Sequence, residues 1–477
     1  MNLSLLLLIC AAYGVHTNPL EGQDPESQYR LKVKVVHVTN PEEFLRGGGQ
    51  VKLGLRLHGP FVYNVKITKT KVAANPNGTA TFETKKSYDF NPQESIAKED
   101  QALFTVPNVP YFNLVNSNED PKLIEDLVRE SNSSPFVLKT VQELLWGYED
   151  PLLQLMSEKG LRKGSTFGIF AEDEEVQGMT LTVSSSSKMQ SGHYDTIDVY
   201  NGNTRFNTWG NALCDQIKGT DLLDSDVRIH PLEKGFGYDS FFYLSSRFCR
   251  PLKFSYKANE TDSEGTIQYL RYKPDDEFFG SVKNYPENKC FCSATDDCPL
   301  LGTADISKCK PGLVLSRPYF KLADETIRKQ FSSGFEAHDD NEDILELEAG
   351  TGKISTFQLT LQWNVQMKKV QALNHTVNFT SVLLPMLHSS DFIQTSPSSN
   401  QGNEEEYQVI DDDAPQAMEL AAPDGAKKVV KKIIEKKIEK KLLGKKRKHK
   451  SSASTFNNQW TIIVAILSAL TTSQLLL

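Results

Sequence analysis

Six cysteines, Cys214, Cys249, Cys290, Cys292, Cys298 and Cys309, fall within one stretch of this 477-residue chain, and a seventh, Cys10, lies in its apolar start. Thiols can act as nucleophiles, as metal ligands or as halves of disulfides. Zinc sites are commonly built on CxxC pairs, and the sequence contains none. An even set of six behind a secretory start points to a disulfide framework made in an oxidising compartment. Spacing leaves the connectivity open, because six cysteines allow fifteen pairings.

Other reactive residue types fail the tests of spacing. There is no P-loop, no G-x-S-x-G elbow and no H-E-x-x-H. His193, Asp195 and Asp198 come close together, but TIDVYNG alternates like a strand ending in a turn. The acidic run His338, Asp339, Asp340, Glu342 and Asp343 lacks the glycine and spacing of an EF-hand loop, so a solvated loop is expected. The chain is therefore expected to bind rather than to catalyse, with no metal and no cofactor.

The ends suggest where it does so. Residues 1–14 carry a short apolar run closed by Ala12 and Gly14, the layout of a signal peptide. Acceptor sequons at Asn77, Asn132, Asn259, Asn374 and Asn378 fit a glycosylated surface. Thr461 to Leu477 is apolar and uncharged. Small residues from Ser451, a polar spacer and that tail match a GPI-attachment signal over residues 451–477, with Ser451 the candidate attachment residue and a short membrane anchor the alternative. Lys427 to Lys450 holds 13 Lys/Arg against Glu435 and Glu439, a local +11 that leaves −19 for the rest of a chain of net charge −8. So acidic a remainder repels polyanions, and nucleic acid is excluded as a partner.

The elements that must position these residues are mostly strands. Leu31, Val33 and Val35 alternate with polar neighbours, as do Val62, Val65 and Ile67, and Phe357, Leu359, Leu361, Trp363, Val365 and Met367 recur at period two. This predicts antiparallel sheet with one buried face over residues 30–392. Helical stripes interrupt it: Leu123, Ile124, Leu127 and Val128 behind Pro121, then Val141, Leu144 and Leu145. Residues 393–425 turn acidic and polar, as a disordered stalk does, and residues 426–450 repeat Val430, Ile434, Ile438 and Leu442 at helical spacing between lysines, a basic amphipathic helix.

Several segments together resemble the class B scavenger receptors, the family of fatty acid translocase and the lysosomal integral membrane proteins. ELLWGYEDPLL (Glu143 to Leu153) is the most specific. NPEEF (Asn40 to Phe44) and GPFVY (Gly59 to Tyr63) resemble the family's opening strand pair. DVYNG with Trp209, CDQIKGTD from Cys214, FCRPL from Phe248, CFC from Cys290, DISKCK from Asp305 and SRPYF from Ser316 follow in order. The resemblance spans about Val38 to Leu384. Trp146 and Tyr148 are expected to pack, and SRPYF to set a turn and a strand start through Pro318.

The resemblance implies disulfides Cys214–Cys290, Cys249–Cys309 and Cys292–Cys298. It implies a β-rich α+β fold, an antiparallel β-barrel-like core with an apical helical bundle and a hydrophobic tunnel. It implies a cell-surface or lysosomal protein of the secretory pathway that binds fatty acids, sterols, phospholipid or lipoprotein and passes them towards the membrane holding its C-terminus. Two alternatives accompany this: a receptor gripping a soluble protein at the apical residues Leu123, Glu125, Asp126, Leu127 and Glu130, or a secreted lipid carrier. The sequence departs from the family pattern in three ways: the signal peptide in place of an N-terminal membrane helix, the absence of a cytoplasmic tail, and an acidic apex, where Glu119, Asp120, Glu125, Asp126 and Glu130 outnumber Lys122 and Arg129.

Overall fold

Apolar–polar alternation becomes strand along most of the chain. The computed structural model describes residues 27–47, 50–77, 79–173, 175, 177–182, 196–223, 229, 240–292, 298–332, 335, 343–349, 351–368 and 382–395, all within the unit Met1–Asn400. The strands are β1 (Ser27–Val38), β2 (Leu55–Ala74), β3 (Thr79–Phe90), β4 (Leu103–Pro107), β5 (Phe136–Thr140), β6 (Tyr148–Glu149), β7 (Thr166–Phe167), β8 (Gln177–Thr182) and β9 (Thr196–Tyr200). There follow β10 (Ser240–Tyr243), β11 (Leu252–Thr261), β12 (Ile267–Pro274), β13 (Thr303–Asp305), β14 (Leu313–Ser316), β15 (Ile344–Glu348), β16 (Ile354–Met367) and β17 (Val382–Thr395). The helices are α1 (Pro41–Gly47), α2 (Val109–Val115), α3 (Pro121–Glu130), α4 (Val141–Trp146), α5 (Pro151–Glu158) and α6 (Glu325–Arg328).

One antiparallel sheet runs β10-β11-β12-β15-β16-β17-β1-β2-β3-β8-β9, with β13 and β14 attached through β16. The strand-rich antiparallel core is as expected, but among the described residues the barrel does not close: the ladder ends at β10 on one side and β9 on the other. Residues 219–220 lie between those edges. Gly219 O accepts from Ile197 N–H at 2.9 Å, while Thr220 donates to Phe242 O at 3.0 Å and accepts from Leu244 N–H at 2.8 Å. Gly219 has φ +118°, and a Cβ there would meet Phe242 O at 2.2 Å. Only glycine allows the backbone into that gap.

The sheet has a polarity. Ser27 at the start of β1 pairs with Thr395 at the end of β17, so both ends of the strand framework leave from one side. At the far end of β16, Asn116 just beyond α2 donates to Gln366 O at 2.5 Å and accepts from Lys368 N–H at 3.2 Å. Thr356 of β16 pairs with Gln394 beside those ends, and the run from there to Gln366, at about 3.3 Å per residue, leaves roughly 35 Å of strand between them and α2.

Phe357, Leu359, Leu361, Trp363, Val365 and Met367 are all buried, as their period requires. The expectation of a single buried face fails at this strand, because Gln362 and Asn364 are also fully buried. β14 and the turn after it cover them: Asn364 Nδ2 donates to Val314 O and Ser316 Oγ, and Tyr319 N–H donates to Gln362 Oε1. Two motif expectations are corrected as well. NPEEF opens α1 rather than a strand, and SRPYF ends β14 at Ser316 and continues as the 3-10 turn Pro318–Phe320, a turn but not a strand start.

Candidate functional site

The helices inserted between β4 and β8 form a cluster in which α3 packs on α2 and α5. Asp120 opens α3 by accepting from the N–H groups of Lys122 and Leu123 at 2.9 and 3.2 Å, ahead of Pro121 at the first helical position. The apolar stripe turns inward. Ile124 and Leu127 are buried, and Leu123 and Val128 are half-buried against the core. Of the candidate binding residues, Leu127 thus belongs to the core and Leu123 partly does. The carboxylates face outward: Asp126 pairs with Arg129, Glu130 with Lys159 at 2.9 Å, and Glu125 is exposed with no ion pair among the described residues.

The ELLWGYEDPLL segment is architectural. Thr140 and Glu143 make a reciprocal capping box at α4. Gly147 turns the chain at φ +129°, and Asp150 caps α5 through the N–H groups of Leu152 and Leu153 at 3.0 and 3.1 Å. Trp146 packs on Tyr63 and Tyr88, ring centres 5.2 and 4.7 Å away. Tyr148 lies against Phe167 and beneath the Lys139 ammonium. Both aromatics pack, as expected of them.

Beneath the cluster lies an ionic network that residue patterns did not reveal. Arg247 Nη1 donates to both oxygens of Asp391 at 2.9 Å, its Nε to Asp173, and its Nη2 to the Tyr88 hydroxyl at 3.0 Å. The Tyr29 hydroxyl donates to Asp391 at 3.0 Å and the Tyr88 hydroxyl to Asp173 at 3.2 Å. Arg247, Asp173 and Asp391 are all buried, and the guanidinium lies over the Phe170 ring at 4.7 Å. Burial alone would lower the arginine's pKa, but the two carboxylates more than offset it and hold the charge in place. Burial pushes Tyr29 and Tyr88 well up, so both remain proton donors. Every member is engaged with another, which suits a cross-brace between β1, β3, β17 and two loops rather than a reaction centre.

The cysteines pair as Cys214–Cys290, Cys249–Cys309 and Cys292–Cys298, with Cα separations of 6.0, 6.0 and 4.5 Å. Asn77 and Asn132 are exposed, open to an attached glycan. Asn259 is half-buried in β11 and its Oδ1 accepts from the Tyr256 hydroxyl. Asn374, Asn378, His193, Asp195, Ser451, the acidic residues 338–342, the leader at 1–14 and everything after residue 395 lie outside the described residues. Among the described residues no His, Cys, Asp and Glu gather as a metal site, and no helix is long and apolar enough to cross a membrane. An open hollow of about 280 Å³ lies where β3, β8 and β9 meet, lined by Thr81, Glu83, Gly178, Thr180 and Val199 among others.

A family model described as the CD36 family matches residues 23–401. Scavenger receptor class B member 1 of Bos taurus is 27% identical over 369 residues, covering 75% of this chain and 69% of its own. Lysosome membrane protein 2 of Rattus norvegicus is 28% identical over 365 residues, covering 75% and 73%. Scavenger receptor class B member 1 of Sus scrofa reaches 29% over 370 residues, covering 75% and 69%.

Proposed function

This chain belongs to the CD36 family, and from that premise we propose that it is a scavenger-receptor-type binding protein for lipids, not an enzyme, working at the cell surface or in the lysosomal and endosomal system. The observation that carries the reading is the match over residues 23–401, which takes in all six paired cysteines and the helical cluster. The relatives named above are receptors and membrane proteins. In this reading the helical cluster, roughly 35 Å of strand away from the paired ends of β1 and β17, is the apical face that meets ligand. An internal apolar tunnel then carries fatty acid, sterol or phospholipid chains, each favoured by about 25 cal/mol for every Å² of apolar surface withdrawn from water. The C-terminus holds the protein to the membrane, through a GPI anchor at Ser451 or a short anchor helix.

The test is lipid extraction with native mass spectrometry on the purified full chain. Near-stoichiometric fatty acid, sterol or phospholipid supports the reading. A well-folded protein that carries no lipid, and takes up none when offered oleate or cholesterol, overturns it. Release of the protein from cells by phosphatidylinositol-specific phospholipase separates GPI attachment from a peptide anchor, and protein in the medium without phospholipase points to a secreted carrier.

A second reading rests on the outward acidic side of α3. There Glu125, Asp126 and Glu130 would hold a soluble basic protein by complementary charge, which favours association rate and specificity. Glu125→Lys with Glu130→Lys should then abolish capture of that partner while leaving lipid content unchanged. Equal capture by the variant would rule this out.

A further inference from the structure

Arg250 follows Cys249 in the FCRPL segment and its side chain is buried, 3% exposed. Its guanidinium is stacked on two phenyl rings, 3.9 Å from the centre of Phe291 and 4.5 Å from that of Phe278. Among the described residues it makes one hydrogen bond, from Nη2 to Asn288 Oδ1 at 2.8 Å. Asn288 is itself held in place, its amide nitrogen donating to Glu277 O and Gly280 O at 2.8 and 2.9 Å. No carboxylate among the described residues pairs with Arg250. The contrast with its neighbours is sharp. Buried Arg247 has two carboxylates, and Arg317, over the ring of Phe279, pairs with Asp276 at 2.7 Å and Asp343 at 3.7 Å.

A guanidinium offers five N–H donors in a planar fork matched to carboxylate and phosphate. Among the described residues a single donor is used. The phenyl rings stabilise the charge through their faces, but they do not satisfy N–H groups that point outward in the guanidinium plane. A buried charge without a counter-ion is costly. Burial pulls the pKa of Arg250 down to about 9 against the attraction of Glu277 and Asp305, so the cation persists at neutral pH. The surroundings are largely apolar: Phe278 meets Phe279 edge to face, and the Phe279 carbonyl accepts from Gly302 N–H next to the exposed Leu300 and Leu301.

We propose that Arg250 is the anchor of an oxyanion site that takes a carboxylate or phosphate on the free edge of its guanidinium, with Asn288 fixing the opposite edge. The apolar frame suits an oxyanion carried by an amphiphile as well as a free anion. The site does not depend on the lipid reading above, because inorganic phosphate tests it directly.

The experiment compares unfolding temperature and calorimetric titration of the full chain in phosphate, acetate, laurate below its micellar range, and chloride at matched ionic strength and pH 7. Phosphate and acetate should raise the unfolding temperature above that in chloride. Arg250→Met should lose that effect with an affinity drop of about thirtyfold or more, the lower range for removing one side of a buried charged pair. Arg46→Met, at an exposed residue, should keep it. If Arg250→Met does not fold, Asn288→Asp supplies a carboxylate to the same guanidinium, and the anion effect should disappear. A wild-type protein indifferent to all three oxyanions, or an effect that survives Arg250→Met or Asn288→Asp, overturns the proposal. With the site present, laurate binding well above acetate identifies an amphiphile head group as its source, and equal binding identifies a free anion.

Discussion

His388 on β17 should make this protein lose stability in acid. The imidazole is buried, its Nε2 lies 2.8 Å from Gln362 Oε1, and the same oxygen accepts from Tyr319 N–H at 2.8 Å. The Tyr319 ring closes over it at 4.9 Å. Burial, with a smaller push from Lys34, lowers its pKa from 6.5 to about 3. A group depressed on folding contributes stability that is fully present above its unfolded pKa of 6.5 and is lost as pH falls towards the folded value. At pH 5 the unfolded chain gains a proton that the folded one refuses, across 1.5 pH units below 6.5. At 1.36 kcal/mol per unit this costs about 2 kcal/mol, a large part of a typical 5–15 kcal/mol stability. The assay is equilibrium urea unfolding of the full chain with disulfides intact, at pH 7.5 and pH 5.0, for wild type and His388→Gln. Glutamine can still donate to Gln362 but does not titrate. His37 and His58, whose pKa values burial and Arg56 also lower, act alike in both proteins and cancel from the comparison. Wild type should lose about 2 kcal/mol more than the variant between the two pH values. Equal losses would refute the argument.

Three other perturbations probe the framework. Arg247→Met leaves Asp173 and Asp391 buried without their cation and should cost about 3–5 kcal/mol, measured by urea unfolding; a change below about 1 kcal/mol would show the carboxylates to be solvated. Replacing Cys249 and Cys309 together by serine opens a loop of 60 residues, which in the chain-entropy model removes about 4 kcal/mol; unchanged unfolding of the non-reduced variant would contradict that. Gly219→Ala puts a Cβ 2.2 Å from Phe242 O, so amide exchange at Ile197 and Leu244 should accelerate while β16 and β17 stay protected, and unaltered exchange would mean that residues 219–220 do not bridge the sheet edges.

Local patterns carried the strands and helices well. Period-two alternation located β1 and β16, and Pro121 ahead of an apolar stripe located α3, because an element's own period reports which of its faces is apolar. Periodicity could not report what covers the other face. Gln362 and Asn364 look like solvent-facing positions until β14 and the Pro318–Phe320 turn come down on them. Leu127 looks like a possible ligand contact until α2 and α5 pack against its helix. The helical NPEEF and the end of β14 at SRPYF show the same limit at element boundaries, where capping and cross-strand partners decide the outcome.

The amino-acid sequence by itself raised the expectation of binding rather than catalysis, pointed to an oxidising compartment and an antiparallel core, and carried the resemblance that implied the three disulfides. These follow from residue types and short spacings, which survive without coordinates. The tertiary structure alone decided the rest. It left the sheet open among the described residues with Gly219 and Thr220 between its edges, joined Arg247 to Asp173 and Asp391 across 74 and 144 residues of chain, and buried Arg250 against two phenyl rings with no paired carboxylate among the described residues. A charged side chain carries the same formal charge in a loop or in a core. Whether it is paired, stacked or left with free donors depends on which distant segments fold against it, and the chain states that only once it has folded.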